Sequence, residues 1–168
     1  MFAKTEGNHQ VFRLIAQDIV LRTQSFMKNF FFEEESPVRF FFWENFKSLI
    51  FPAIPDRVPA FEGGLTKTQL MKPMCDSQIL EELGRPVAFT PAEFAAAICG
   101  LFQKQLKSGG NMLFSKSHAN IFYVQLLNGE CVIPVCVDRY ADYLGWSLLV
   151  SDFDEAPWSD GHCVFFRS

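Results

Sequence analysis

The stretch IFYVQLLNGECVIPVCV, residues 121–137, decides how this 168-residue chain is read. Two runs rich in aromatic and β-branched residues flank Asn128-Gly129. Asn-Gly between such runs is the strongest short hairpin signal, because both turn positions must tolerate positive φ. The turn sets a register that pairs Leu126 with Cys131, Val124 with Ile133 and Phe122 with Val135, and these residues share one apolar face with Val137. The other face carries Ile121, Tyr123, Gln125, Glu130, Val132, Cys136 and Asp138. It is half apolar, which predicts a sheet with one face on the core. Pro134 falls opposite Tyr123 and predicts a bulge or a lost ladder bond, since proline has no N–H.

C-terminal to the hairpin, Gly145 to Phe153 reads as a third strand with Trp146, Leu148 and Val150 on one side. Asp160-Gly161 introduces a fourth, His162 to Arg167, with His162, Val164 and Phe166 on one side.

N-terminal to the hairpin the apolar period changes to that of helices. From Asn8 to about Phe32, the residues Phe12, Ile15, Ile19, Phe26 and Phe30, with Ala16 and Met27, share one helical face. Leu14 and Leu21 lie on the opposite side, as a minor stripe that covers another element or forms a dimer contact. Ser36 and Pro37 suit the start of a second helix with Phe42, Trp43, Phe46, Leu49 and Ile50 facing inward. Phe41 projects with Glu44, Asn45 and Ser48, and marks either an interface or a residue beneath a loop. Pro52, Pro55, Pro59 and Gly63-Gly64 make residues 51–64 a loop. Asp76 or Ser77 caps a short helix through Leu83, stopped by Gly84 and Pro86.

Thr90-Pro91-Ala92-Glu93 is a capping-box start for a helix with Phe94, Ile98, Leu101, Phe102 and Leu106 inward, ended by Gly109-Gly110. Ala96 and Gly100 share its other side, where they are simply exposed or admit the close approach of a second helix. The expected fold is therefore α+β: a single domain over residues 1–168, helical over about 8–108, with a β-meander over about 119–168. N-terminal and central helices would pack on one face of a C-terminal three- to four-stranded antiparallel sheet.

Composition narrows the function classes. Phenylalanine occurs 20 times, which points to a thick aromatic core or an aromatic partner surface. Net charge is −4. Residues 128–160 hold seven acids against Arg139 alone, a balance of −6 that leaves +2 elsewhere. No basic stripe of the kind nucleic acid requires stands out. No apolar run approaches the roughly 20 residues that span a bilayer, and no secretory leader is apparent. Five scattered cysteines favour reduced thiols and a cytoplasmic location.

No cofactor or metal motif is present. Cys131 and Cys136, like His162 and Cys163, diverge on a regular strand, whereas zinc needs convergent ligands. The acidic loop Asp152 to Asp160 lacks a calcium-loop frame and reads as solvated. One set of residues has mechanistic order: Cys75 at a helix start, His118 before the first strand of the hairpin, and Asp138 at the end of the second. That order and layout resemble the papain-like cysteine hydrolases. The resemblance implies Cys75 as nucleophile, His118 as base and Asp138 as orienter. The plainer reading makes Cys75 a small hydrophobe, His118 a solvated loop residue and Asp138 a partner of Arg139.

These observations favour a non-catalytic interaction module with a protein partner or a second copy, through Leu14, Leu21 and Phe41. A Cys-His-Asp hydrolase or acyltransferase is the alternative, and a small-molecule binder with an aromatic pocket the third.

Overall fold

The computed structural model describes residues 10–29, 38–84, 86–107, 114, 117–126, 129, 131–140 and 145–168. Its strands are β1 (Phe12–Thr23), β2 (Phe26–Met27), β3 (Phe40–Phe42), β4 (Arg57–Val58), β5 (Phe61–Leu70), β6 (Asn120–Gln125), β7 (Val132–Tyr140), β8 (Gly145–Val150) and β9 (Cys163–Arg167). The helices are α1 (Glu44–Leu49), α2 (Asp76–Leu83) and α3 (Pro91–Lys107). Seven strands form one mixed sheet in the order β1-β5-β9-β6-β7-β8-β3, while β2 and β4 pair separately.

The hairpin register is the one its sequence predicts: Val124 pairs with Ile133 and Phe122 with Val135. Asn128 lies outside the described residues. Pro134 faces Tyr123 without a bulge. The Tyr123 carbonyl and Gln125 amide bond Phe89 on the far side of β6, so the Tyr123–Pro134 pair requires no N–H between them. The proline carbonyl instead accepts the Ser151 N–H at 3.1 Å, just past the end of β8, where a missing donor interrupts no ladder.

The expected architecture is overturned in three respects. The sheet is mixed and spans the chain, because β1 and β5 supply two of its strands. The fourth C-terminal strand, β9, does not extend the meander; it enters between β5 and β6 and runs parallel to β6. The helices cover both faces. Phe46 of α1 and Phe94, Ile98, Leu101 and Phe102 of α3 join one core with Val124, Val135, Leu148 and Phe165. Ile79 of α2 joins a second with Ile121, Tyr123, Cys136 and Val164 on the opposite face.

The expected first helix is β1, and its irregular backbone explains the misleading period. Register shifts interrupt its pairing with β5 between Leu14 and Ala16 and again between Ala16 and Ile19. Asp18 adopts a left-handed φ of 52°. Each irregularity restarts the in-out alternation, so Phe12, packed against the second core, and Ala16 and Ile19, on the first, come four and three apart. That spacing is the helical signature, although β-branched Ile15, Ile19, Val20 and Thr23 fit a strand. Only from Ile19 onward does true alternation appear, with Ile19, Leu21 and Thr23 buried.

Gly63-Gly64 is not a turn either. Both residues lie within β5, opposite Leu21 and Val20. A Cβ at Gly64 would come within 3.3 Å of Ser168. The expected helix from Ser36 is shortened to β3 followed by α1, whose N-cap is Trp43; Ser36 and Pro37 lie outside the described residues.

Where local chemistry is strong, the expectation stands. The Thr90 amide donates to Glu93 Oε2 at 2.9 Å and the Glu93 amide to Thr90 Oγ1 at 3.2 Å, which starts α3. Its Gly109-Gly110 stop lies outside the described residues. Gly84, at φ 62°, ends α2. Gly100 lets β1 cross α3 closely, since a Cβ there would stand 3.0 Å from Thr23 Cγ2 and 3.3 Å from Leu21.

Many of the phenylalanines form a buried cluster. Phe102 stacks on Phe114 at 4.5 Å and Phe122 on Phe165 at 4.9 Å, with Trp146 edge-on to Phe102 at 5.4 Å.

Candidate functional site

At one end of the sheet, on the α2 face, the register builds a polar hollow. Asn120 pairs with Val137 on one side and with Cys163 on the other. One residue earlier, Ala119 therefore lies between Asp138 of β7 and His162, which precedes β9. All three project to the same face. The single methyl of Ala119 leaves room between two larger polar walls. The hollow, about 310 Å³, is lined by Ser117, His118, Ala119, Asp138, Arg139, Trp158 and His162.

Each wall is held. His162 Nδ1 accepts the Ala119 N–H at 3.3 Å. Burial lowers the His162 pKa most; the Asp138 carboxylate opposes this, His118 adds to it and Asp160 opposes it, with a net lowering. The ring is therefore neutral at neutral pH with its proton on Nε2. His118 Nδ1 bonds Ser117 Oγ at 2.9 Å, and its ring lies edge-on to His162 with centroids 5.9 Å apart. Gly161, at φ 88°, permits that approach: a Cβ there would overlap His118 Nε2 at 2.5 Å. Asp138 accepts a bond from the buried Cys136 thiol, whose pKa is pushed well up by burial first and then by that carboxylate. Arg139 follows Asp138 on the strand, so alternation sends it toward the opposite face and places it at the rim.

Trp158 closes the hollow toward α2. Its backbone pairs with Met74 through both N–H and C=O, at 2.8 and 3.0 Å. Its indole lies edge-on to His162 at 5.8 Å and donates Nε1 to Asp76 at 2.7 Å. Asp76 is 1% exposed and also accepts from Tyr123 Oη at 2.8 Å and the Asp154 amide at 2.9 Å. Asp154 in turn accepts the Ser77 amide at 2.8 Å. Asp152 to Asp160 thus includes a clasp that closes the second core, through Asp154 and Trp158.

His118 and Asp138 are brought into one hollow, as the hairpin geometry suggests. Cys75 is not among the described residues that line it. It is the N-cap of α2, where its Sγ and the Gln78 side chain form a reciprocal cap, with the Cys75 amide donating to Gln78 Oε1 at 2.9 Å. Sequence reasoning passed over Trp158 and weighed His162 only as a metal ligand. The signal for His162 was its position on the same strand face as Val164. Its meeting with His118 requires β9 to lie beside β6, which no local pattern announces.

The suggested interface residues separate. Leu14 is 53% exposed on β1, an edge strand, near the exposed Ile15 and Val20. Leu21 is buried against Gly100 of α3. Phe41 is 48% exposed and lies edge-on to Trp43, itself 45% exposed, with centroids 5.7 Å apart. Beside them Trp43, Glu44, Asn45 and Leu149 line a second, largely apolar hollow of about 460 Å³. Asn45 fixes its floor. The side-chain amide donates to the Val150 carbonyl and accepts the Val150 N–H at 3.2 Å, continuing by side chain the pairing that β3 makes with β8.

Among the described residues, no group of three or more His, Cys, Asp or Glu is arranged to hold a metal ion. No described helix is long and apolar enough to cross a membrane. The fold and the two hollows define an α+β protein with a polar site at one sheet end and an aromatic surface beside β3. No family model matches the sequence, and neither a curated protein nor a solved structure resembles it.

Proposed function

We propose that this protein is a non-catalytic binding module whose Phe41–Trp43 surface takes an apolar side chain of a protein partner flanked by lysine or arginine. The observation that carries this reading is the pair of exposed, mutually contacting aromatics standing beside an apolar hollow. Such rings offer 150–250 Å² each for about two rotatable bonds, which is why they dominate binding hot spots.

Charge supplies the second half of the reading. Glu44 lines the hollow, and Asp152 follows two residues after Val150, which Asn45 holds. Glu44, which pairs with Lys47 at 2.9 Å, and the acidic balance of residues 128–160 together favour a cationic neighbour for the docked side chain. The engagement of Cys75 in its helix cap, and not among the described residues that line the His118 hollow, also favours binding over thiol chemistry.

Selection of a displayed random peptide library on the immobilised protein tests this. Enriched peptides should share an aromatic or large aliphatic residue within two positions of lysine or arginine. They should lose binding to Phe41→Ser and Trp43→Ala, and bind less tightly as salt rises. Peptides that bind both variants undiminished would overturn the reading. So would a wild-type dimer, seen by sedimentation, that Phe41→Ser dissociates, because the occupant would then be a second copy.

A further inference from the structure

We propose that the hollow over Ala119 binds a small molecule through a carboxamide group, with His162 donating to its oxygen and Asp138 accepting from its nitrogen. Among the described residues the site shares no lining residue with the Phe41–Trp43 surface, so the inference stands or falls independently of that reading.

The first observation is the fixed direction of His162. Its Nδ1 lone pair is occupied by the Ala119 N–H, so the neutral ring carries its proton on Nε2 and presents a donor rather than a base. Nε2 makes no hydrogen bond among the described residues. No buried polar side-chain atom is left without a partner there, so Nε2 is solvent-accessible, on a residue that lines the hollow. A neutral imidazole held this way is suited to a carbonyl oxygen, which it polarises without a net charge.

The second observation is the wall across from it. Asp138 is an acceptor-only group, and among the described residues its donor is the Cys136 thiol, a weak one. Asp138 lines the hollow beside Ala119. A donor wall and an acceptor wall thus stand on either side of one methyl, on strands that both flank β6.

The ligand class follows by elimination. A carboxylate or phosphate would satisfy His162 and meet Arg139 at the rim, but it places like charge against Asp138 on the wall itself. An ammonium would satisfy Asp138 but turn a donor toward the His162 donor. A carboxamide offers oxygen to one wall and N–H to the other, leaving neither unpaired, and an unpaired buried group is what discriminates most strongly. Trp158 supplies a flat apolar flank, and the His118 ring a second flat flank, for the group that carries the amide.

The site is also built rather than incidental. Gly161 has the positive φ and the missing Cβ that the His118 ring requires, and Ser117 holds that ring from its other side.

The experiment is an amide-resonance NMR titration of the full chain with benzamide, benzoate and benzylamine. Benzamide should give saturable shifts at Ala119, Asp138 and His162, with benzoate and benzylamine each weaker by at least about tenfold. Ala119→Leu should abolish the benzamide shifts by filling the floor. His162→Phe keeps a ring beside Trp158 without the donor, and should weaken benzamide to the level of the other two. Asp138→Asn should narrow the gap between benzamide and benzoate. Preference for benzoate would show an oxyanion site, and preference for benzylamine a cation site; either overturns the proposal. So would benzamide shifts that survive in Ala119→Leu, or no saturation by any probe up to about 50 mM.

Discussion

Asp76 is the residue whose loss should unfold the most structure for the fewest atoms removed. Its carboxylate is 1% exposed and receives three bonds, from Tyr123 Oη, Trp158 Nε1 and the Asp154 amide. These come from β6, from the segment paired with Met74 and from the loop that caps α2. Asp76→Ala leaves the phenol of Tyr123, on a residue with no exposure at all, without an acceptor. Burial raises the Tyr123 pKa well above that of a free phenol, with Asp76 adding to the shift, so the group remains a neutral donor.

A hydrogen bond to a charged group contributes about 1.5–3 kcal/mol, so three would sum to about 4.5–9 kcal/mol if independent. They share one carboxylate, and water reaches the exposed Asp154 loop once the side chain is gone. The net loss is therefore about 3–5 kcal/mol. Against a typical stability of about 5–15 kcal/mol that is about a fifth or more of the total. Urea unfolding followed by tryptophan fluorescence measures it, with Trp158 as a reporter at the site. Asp76→Ala combined with Tyr123→Phe should recover about 1 kcal/mol or more, because the orphaned donor is then absent. A loss below about 1 kcal/mol for Asp76→Ala would refute the reasoning, since it would mean the three bonds are replaced by water at no cost.

Gly100→Val should destabilise by about 1–3 kcal/mol, because its Cβ meets Thr23 at 3.0 Å and Leu21 at 3.3 Å, and the denaturation midpoint reads this directly. Gly161→Ala should both strain a φ of 88° and displace the His118 ring, costing about 1–2 kcal/mol and shifting the His118 side-chain resonances. His162 carries a pH dependence of defined sign. Burial, the largest cause, and His118 lower its folded pKa below the unfolded value of about 6.5, against the opposing carboxylates of Asp138 and Asp160. The unfolded chain then binds more protons, so stability is lost as pH falls from about 6.5 through the folded pKa. His162→Gln should lose less stability than wild type between about pH 7 and pH 5, and equal losses in urea unfolding at the two pH values would count against this.

What the sequence determined by itself is what neighbours along the chain decide. The Thr90–Glu93 box, the stop at Gly84 and the register of Phe122 and Val124 against Val135 and Ile133 each depend on contacts within a few residues of one turn. They were legible for that reason, and so was the convergence of His118 with Asp138 on one hairpin. Tertiary structure decided the remainder. β1 imitates a helix because its bulges space Phe12, Ala16 and Ile19 as a helix would, and only pairing with β5 shows them to be a strand. The half-apolar face of the hairpin became a second core because Ile79 of α2 and the Trp158 segment cover it, with Asp76 closing the seam. The place of β9 beside β6 joins His162 to His118 across Ala119. A parallel pairing of strands separated by the whole β7–β8 meander leaves no trace in local periodicity, because its stabilisation comes from burial shared among distant segments rather than from any turn between them.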